Sequence, residues 1–266
     1  MALNFIRNKD VVLHVGKAPQ GKGQPIVFIN SLGTDGRIWN EVTERLGPDF
    51  ACYTYDKRGH GLSDAPPAPY SLSQHVSDLG VVLDHFGLEA PVLCGLSVGG
   101  MIAQLFTAQS PERVRALILS NTAHIIGPPQ MWHERIAAVR ANGIESLADA
   151  VMQRWFSPGY RRDFPTELRG WRNMLVRTPV EGYVGTGAAI AAEDLTEPTR
   201  HIRKPALCIA GTEDGSTPPA LMRELHALID GARFELIEGA GHLPCVEAPA
   251  TVADLIATFM KESGIV

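Results

Sequence analysis

A chain of 266 residues, 45% hydrophobic and 20% charged, is long enough to bury a sizeable core without a metal or disulfide staple. Its 24 basic and 29 acidic residues leave a net charge of −5 and no basic surplus for a nucleic-acid surface. The longest charge-free run, 90–111, is membrane-sized but is interrupted by Gly95, Ser97, Gly99, Gly100, Gln104, Thr107, Gln109 and Ser110, which excludes a spanning helix.

The opening MALNFIRNKD has no apolar h-region and no small-residue cleavage site, so no secretory signal is expected. Val11 to Val15 is an early strand, expected in a hairpin, and PIVFIN at 25–30 is a continuous apolar strand of a sheet covered on both faces. Strands follow at 50–55, 91–94, 114–119, 205–210 and 233–237. Helical patterns lie between them at 71–86, 98–108, 218–229 and 250–260. This alternation predicts an α/β fold with a mostly parallel sheet flanked by helices. Residues 126–203 break the rhythm: they read as helical and hold Trp132, Trp155, Trp171, ten arginines, no lysine and nine acids. The expected organisation is a core formed by 1–125 and 204–266, with 126–203 inserted as a helical cap. Cys52, Cys94, Cys208 and Cys245 form no CxxC pair and read as reduced, buried thiols of a cytoplasmic protein.

Gly95-Leu96-Ser97-Val98-Gly99-Gly100 lies between a short apolar strand and a helix, the setting a nucleophile elbow requires. Small residues two before and two after Ser97 permit a tight turn that lifts the hydroxyl off the sheet. The helix start behind it offers free N–H groups to a developing negative charge. A serine hydroxyl needs a base. Of nine histidines, His242 in Gly239-Ala240-Gly241-His242 follows the last strand and suits the role. His14, His75, His85 and His226 lie on regular elements and read as structural, whereas His124 and His133 lie near the insertion. Asp214, directly after the 205–210 strand, is the carboxylate to orient the imidazole, with Glu213 and Asp194 as weaker alternatives. The order Ser97, Asp214, His242 is that of the α/β-hydrolases. The backbone N–H groups of Leu32 and Val98 would form the oxyanion hole. No metal-ligand cluster or phosphate-binding loop is present, so no cofactor is implied.

The whole chain resembles an α/β-hydrolase with a helical cap, through GLSVGG at 95–100, YDKRGHGLS at 55–63, GTEDGSTP at 211–218 and GAGHLPCVEAP at 239–249. Within that fold it resembles the bacterial 3-oxoadipate enol-lactonases, through Asn30-Ser31-Leu32-Gly33-Thr34-Asp35, Arg154-Trp155-Phe156 and 132–140. The resemblance implies a small anionic lactone as partner, and a pocket with a cation on otherwise apolar walls. Trp132 and Arg135, three apart on one helix face, and Trp155 are the expected substrate-binding residues. Alternatives on the same fold are a carboxylesterase or cofactor-free perhydrolase acting on another small ester, and a small-molecule receptor.

Overall fold

The computed structural model describes residues 4–16, 23–47 and 49–266. Six parallel strands, β3 (Pro25–Ile29), β4 (Ala51–Thr54), β5 (Val92–Leu96), β6 (Ala116–Ser120), β7 (Ala206–Gly211) and β8 (Arg233–Ile237), form one sheet in the order β4-β3-β5-β6-β7-β8. The inner strands β5, β6 and β7 are buried at every position, as continuous apolar runs require when helices cover both faces. The edge strands β4 and β8 alternate less cleanly and keep partly exposed residues.

The early strand does form a hairpin: β2 (Val11–Val15) pairs antiparallel with β1 (Asn4–Asn8), a strand the periodicity did not announce. Val15 bridges to Tyr55, and Gly16 N–H donates to Thr54 O at 2.7 Å, so the hairpin joins the main sheet at its β4 edge. A second unannounced element is α1 (Asn40–Leu46), which buries only Val42 and Leu46 and therefore carries a weak pattern. The helix α2 (Leu72–His85) begins where its sequence says it should. Ser71 and Gln74 form a reciprocal capping box, and the buried face carries Leu72, His75, Val76, Leu79, Val82 and Leu83.

The register decides where function can sit. Ile29 pairs with Gly95, Leu96 with Ser120, Ser120 with Ile209 and Gly211 with Ile237, so the strand ends are level. The loops after β3, β5, β6, β7 and β8 therefore emerge along one carboxyl edge, where open parallel sheets place their sites.

Between β6 and β7 the chain folds as six helices: α4 (Pro129–Asn142), α5 (Glu145–Trp155), α6 (Pro158–Asp163), α7 (Pro165–Val176), α8 (Val180–Ala191) and α9 (Thr196–Arg200). α9 packs on the core helix α3 (Val98–Gln109), and Thr199 Oγ1 donates to Gln104 Oε1 at 2.8 Å. α5 is stitched to the sheet edge through its end. Its orphan carbonyls on Arg154 and Trp155 accept from Gly215 N–H at 3.1 Å and His242 N–H at 2.7 Å. No helix among the described residues is long and apolar enough to cross a membrane.

Candidate active site

Ser97 stands between β5 and α3 with φ +57° and ψ −120°, a conformation that L-residues rarely adopt. The turn is held by close approach. A Cβ on Gly95 would lie 2.3 Å from Gly99 O, and one on Gly99 would lie 2.3 Å from Ile29 O. Only glycine fits at either position, which gives the two small residues of the elbow their physical reason. Ser97 N–H donates to Ser120 O at 3.1 Å, and Thr122 Oγ1 donates to Ser97 O at 2.6 Å, so neighbouring loops brace the strained residue.

Asp214 and His242 meet as the sequence order implies, with His242 Nδ1 and Asp214 Oδ2 2.9 Å apart and both residues buried. Four further hydrogen bonds converge on the carboxylate. Thr217 Oγ1 and Asn121 Nδ2 each donate to Oδ2 at 2.8 Å, and the N–H groups of Ser216 and Thr217 donate to Oδ1 at 2.7 and 3.0 Å. Burial alone would raise the pKa of Asp214. The charge and hydrogen bond of His242, with those of Asn121 and Thr217, outweigh it and hold the carboxyl at about 2. Asp214 is therefore ionised at neutral pH and fixes Nδ1 of His242 as the donor, which leaves Nε2 free for a proton. The rival acids lie elsewhere: Glu213 is exposed, and Asp194 caps Thr196 at the surface.

The other histidines divide as follows. His14 pairs with Asp56 at 2.9 Å, and His226 Nε2 bonds Ala232 O at 2.9 Å. His75 is fully buried with Thr186 3.4 Å from Nε2 and no partner for Nδ1 among the described residues, so it is only half satisfied. His85 and His133 are exposed, and His124 is half-buried away from the cavity.

A cavity of about 510 Å³ opens above the elbow, lined by Ser31, Leu32, Ser97 and His242 from the core and by Trp132, Arg135, Arg154 and Trp155 from α4 and α5. Ser97 and His242 both face it, and no hydrogen bond joins them in this structure. The amides of Leu32 and Val98 have no hydrogen-bond partner among the described residues, although both residues are buried. Buried N–H groups are nearly always paired, and two free ones beside a serine are an arrangement that can receive a developing oxyanion.

The roof is cationic. Arg135 and Arg154 make no ion pair with any carboxylate among the described residues. Arg135 lies over the rings of Trp132 and Tyr183, 5.2 and 5.4 Å from their centroids. Its Nε and the Tyr183 hydroxyl are buried with no hydrogen-bond partner among the described residues. Burial and the neighbouring Arg135 charge pull the Arg154 guanidinium below its ordinary value. Glu134 also reaches the cavity rim, where Gln130 Nε2 donates to it at 2.8 Å. Trp132 is an apolar wall rather than a donor to ligand, because its indole N–H is already given to Ile126 O at 2.6 Å.

All eight predicted site residues thus lie at or directly behind one cavity. Asn121, Ser216, Thr217, Arg154 and Tyr183 were not foreseen as site residues. Asn121 lies 93 positions from its partner Asp214, and no local pattern announces such a pairing.

A level parallel sheet, a strained serine on a strand-to-helix turn and a buried histidine–aspartate pair at one edge define a class, and residues 24–249 match the family described as the alpha/beta hydrolase fold. The chain belongs to that family. It is 32% identical to 3-oxoadipate enol-lactonase 2 of Acinetobacter baylyi, over 95% of this chain and 94% of that protein. Its structure resembles that of the enol-lactonase from Burkholderia xenovorans LB400, with a TM-score of 0.93 and 34% identity over 97% of this chain and all of the other. It also resembles a malate-bound thermophilic esterase from Thermogutta terrifontis, with a TM-score of 0.92 and 26% identity over 99% of each chain.

Proposed function

We propose that this hydrolase opens the lactone ring of 3-oxoadipate enol-lactone to give 3-oxoadipate, as a step in bacterial breakdown of aromatic compounds. The observation that carries the substrate class is the pair of cap arginines without carboxylate partners, Arg135 and Arg154, in the roof above Ser97. Two cations held this close invite an anionic ligand, and the lactone carries one free carboxylate. The apolar walls from Trp132 and Trp155 suit its ring. The enol-lactonase relatives support the same reading.

In this reaction His242 Nε2 takes the Ser97 proton as Oγ attacks the lactone carbonyl, and the carbonyl π electrons move onto oxygen beside the Leu32 and Val98 amides. Catalytic hydrogen bonds are often open in a free enzyme, and the Ser97–His242 bond closes as substrate fills the cavity. Collapse of the tetrahedral centre breaks the bond to the ring oxygen, which leaves as an enolate. The His242 imidazolium gives its proton to that enolate, which becomes a ketone, and His242 is neutral again. The opened chain remains on Ser97 as an acyl-enzyme. Water, deprotonated by His242, releases the dicarboxylate, and Asp214 stabilises the imidazolium in both steps.

The test is turnover of 3-oxoadipate enol-lactone beside a neutral ester of similar size. Higher kcat/KM for the lactone supports the proposal. Preference for the neutral ester overturns the substrate and favours a carboxylesterase, and hydrolysis of neither favours a receptor.

A further inference from the structure

The donors of the Leu32 half of the oxyanion site are arranged by a residue that the reaction above does not use. Lys57 is fully buried, with no carboxylate of the described residues within ion-pair distance, and its amine donates to Ser31 O at 2.5 Å. Three more donors converge on the same oxygen: Thr34 Oγ1 at 3.0 Å, Asn30 Nδ2 at 3.2 Å and Thr34 N–H at 3.3 Å. Ser31 C=O and Leu32 N–H are the two ends of one planar peptide, so a donor cluster on the oxygen aims the N–H the opposite way. That N–H is the one left unpaired at the cavity. The following peptide is pinned as well. Gly33 N–H donates to His60 Nε2 at 2.9 Å, while His60 Nδ1 bonds Arg58 O at 3.1 Å. Burial keeps His60 in its neutral form, so Nε2 remains an acceptor, and burial likewise pulls the Lys57 amine well below its ordinary value.

We propose that Lys57 is a positioning residue of the oxyanion hole: its amine, with Thr34 and Asn30, fixes and polarises the Ser31–Leu32 peptide so that the Leu32 N–H stabilises the oxyanion. Drawing electron density toward the carbonyl oxygen strengthens the amide as a donor, and pre-aiming removes reorganisation at the moment of attack. A buried amine without a carboxylate costs stability, and this work at the reacting centre gives the cost a function. The inference rests on Ser97 being the nucleophile.

The test compares wild type, Lys57→Met and Thr34→Val on one ester substrate, with Ser97→Ala in parallel. A trifluoromethyl ketone, whose adduct with serine is an oxyanion, is measured against the matching methyl ketone, which binds only as a ground-state analogue. Losing part of one oxyanion donor should lower kcat in Lys57→Met about 10- to 100-fold with KM within about threefold. The trifluoromethyl ketone should weaken by the same factor while the methyl ketone does not. Thr34→Val should show the same signature at about 3- to 10-fold, and it carries the test if Lys57→Met does not fold. Unchanged kcat, a loss confined to KM, or a fall in kcat with undiminished trifluoromethyl ketone affinity overturns the inference. Turnover surviving in Ser97→Ala would instead overturn the serine reading on which it rests.

Discussion

The floor and the roof of the cavity are built on opposite terms. On the floor, the Asp214 carboxylate receives bonds from Asn121, Ser216, Thr217 and His242, and Ser31 O is bonded by four donors. In the roof, the Arg135 Nε and the Tyr183 hydroxyl have no partner among the described residues, and two arginines repel each other. A saturated network has one low-energy arrangement, which suits chemistry that needs fixed geometry. An unsaturated, charged lining is incomplete until a ligand supplies the missing acceptors, which suits selection. The two regions meet at the end of α5, where the Arg154 and Trp155 carbonyls accept from the Asp214 and His242 loops, and where Glu247 accepts from Gly241 N–H at 2.9 Å and Ser157 N–H at 3.2 Å.

Breaking the floor should abolish chemistry regardless of substrate. Ser97→Ala should lower kcat about 10⁴- to 10⁶-fold on anionic and neutral esters alike, with an unchanged circular dichroism spectrum. Asp214→Asn should cost about 10⁴-fold in kcat by favouring the wrong imidazole tautomer, measured on the same pair of substrates. Breaking the roof should discriminate between them. Arg135→Met should lower kcat/KM for the anionic lactone about 10- to 100-fold, the worth of one charge-assisted hydrogen bond, and leave a neutral ester within about threefold. Equal losses on both substrates would erase the division between floor and roof.

Two smaller effects probe the floor's stability. Folding holds the Asp214 carboxyl at about 2 against an ordinary 3.8, so the unfolded chain binds that proton more readily as pH falls. The stabilisation is complete above about pH 5 and is lost as pH falls through about 2, a contribution of about 2 kcal/mol. Urea midpoints between those limits should fall more steeply for wild type than for Asp214→Asn. Ser97→Gly should be inactive yet more stable than Ser97→Ala by about 1 kcal/mol, because glycine tolerates a φ of +57°. Equal thermal midpoints for the two variants would show that the elbow stores no strain.

Much of the floor was legible in the linear chain because its signals are local. A short apolar strand, a serine with glycine two before and two after it and a helix start occupy a dozen consecutive residues. Apolar runs of five or six residues mark the inner strands, and their order places Asp214 and His242 at the same edge as Ser97. The pattern failed where burial is thin, at β1 and α1. It also left the support network unread: Lys57 lies 26 positions from Ser31, and was legible only as one letter of a glycine-rich turn.

The roof shows the other limit. A period of 3.6 places Trp132 and Arg135 on one face of α4, but nothing in it says that α5 brings Arg154 beside them or that α8 supplies Tyr183. Those neighbours depend on how helices cross, which packing of the whole molecule decides. The sequence by itself determined the fold class and the order in which Ser97, Asp214 and His242 come to one sheet edge, because strand runs and strained turns are written in adjacent residues. The tertiary structure alone decided which polar atoms of the described residues are satisfied and which stay unpaired, because hydrogen-bond partners and unpaired charges are properties of contacts between distant segments.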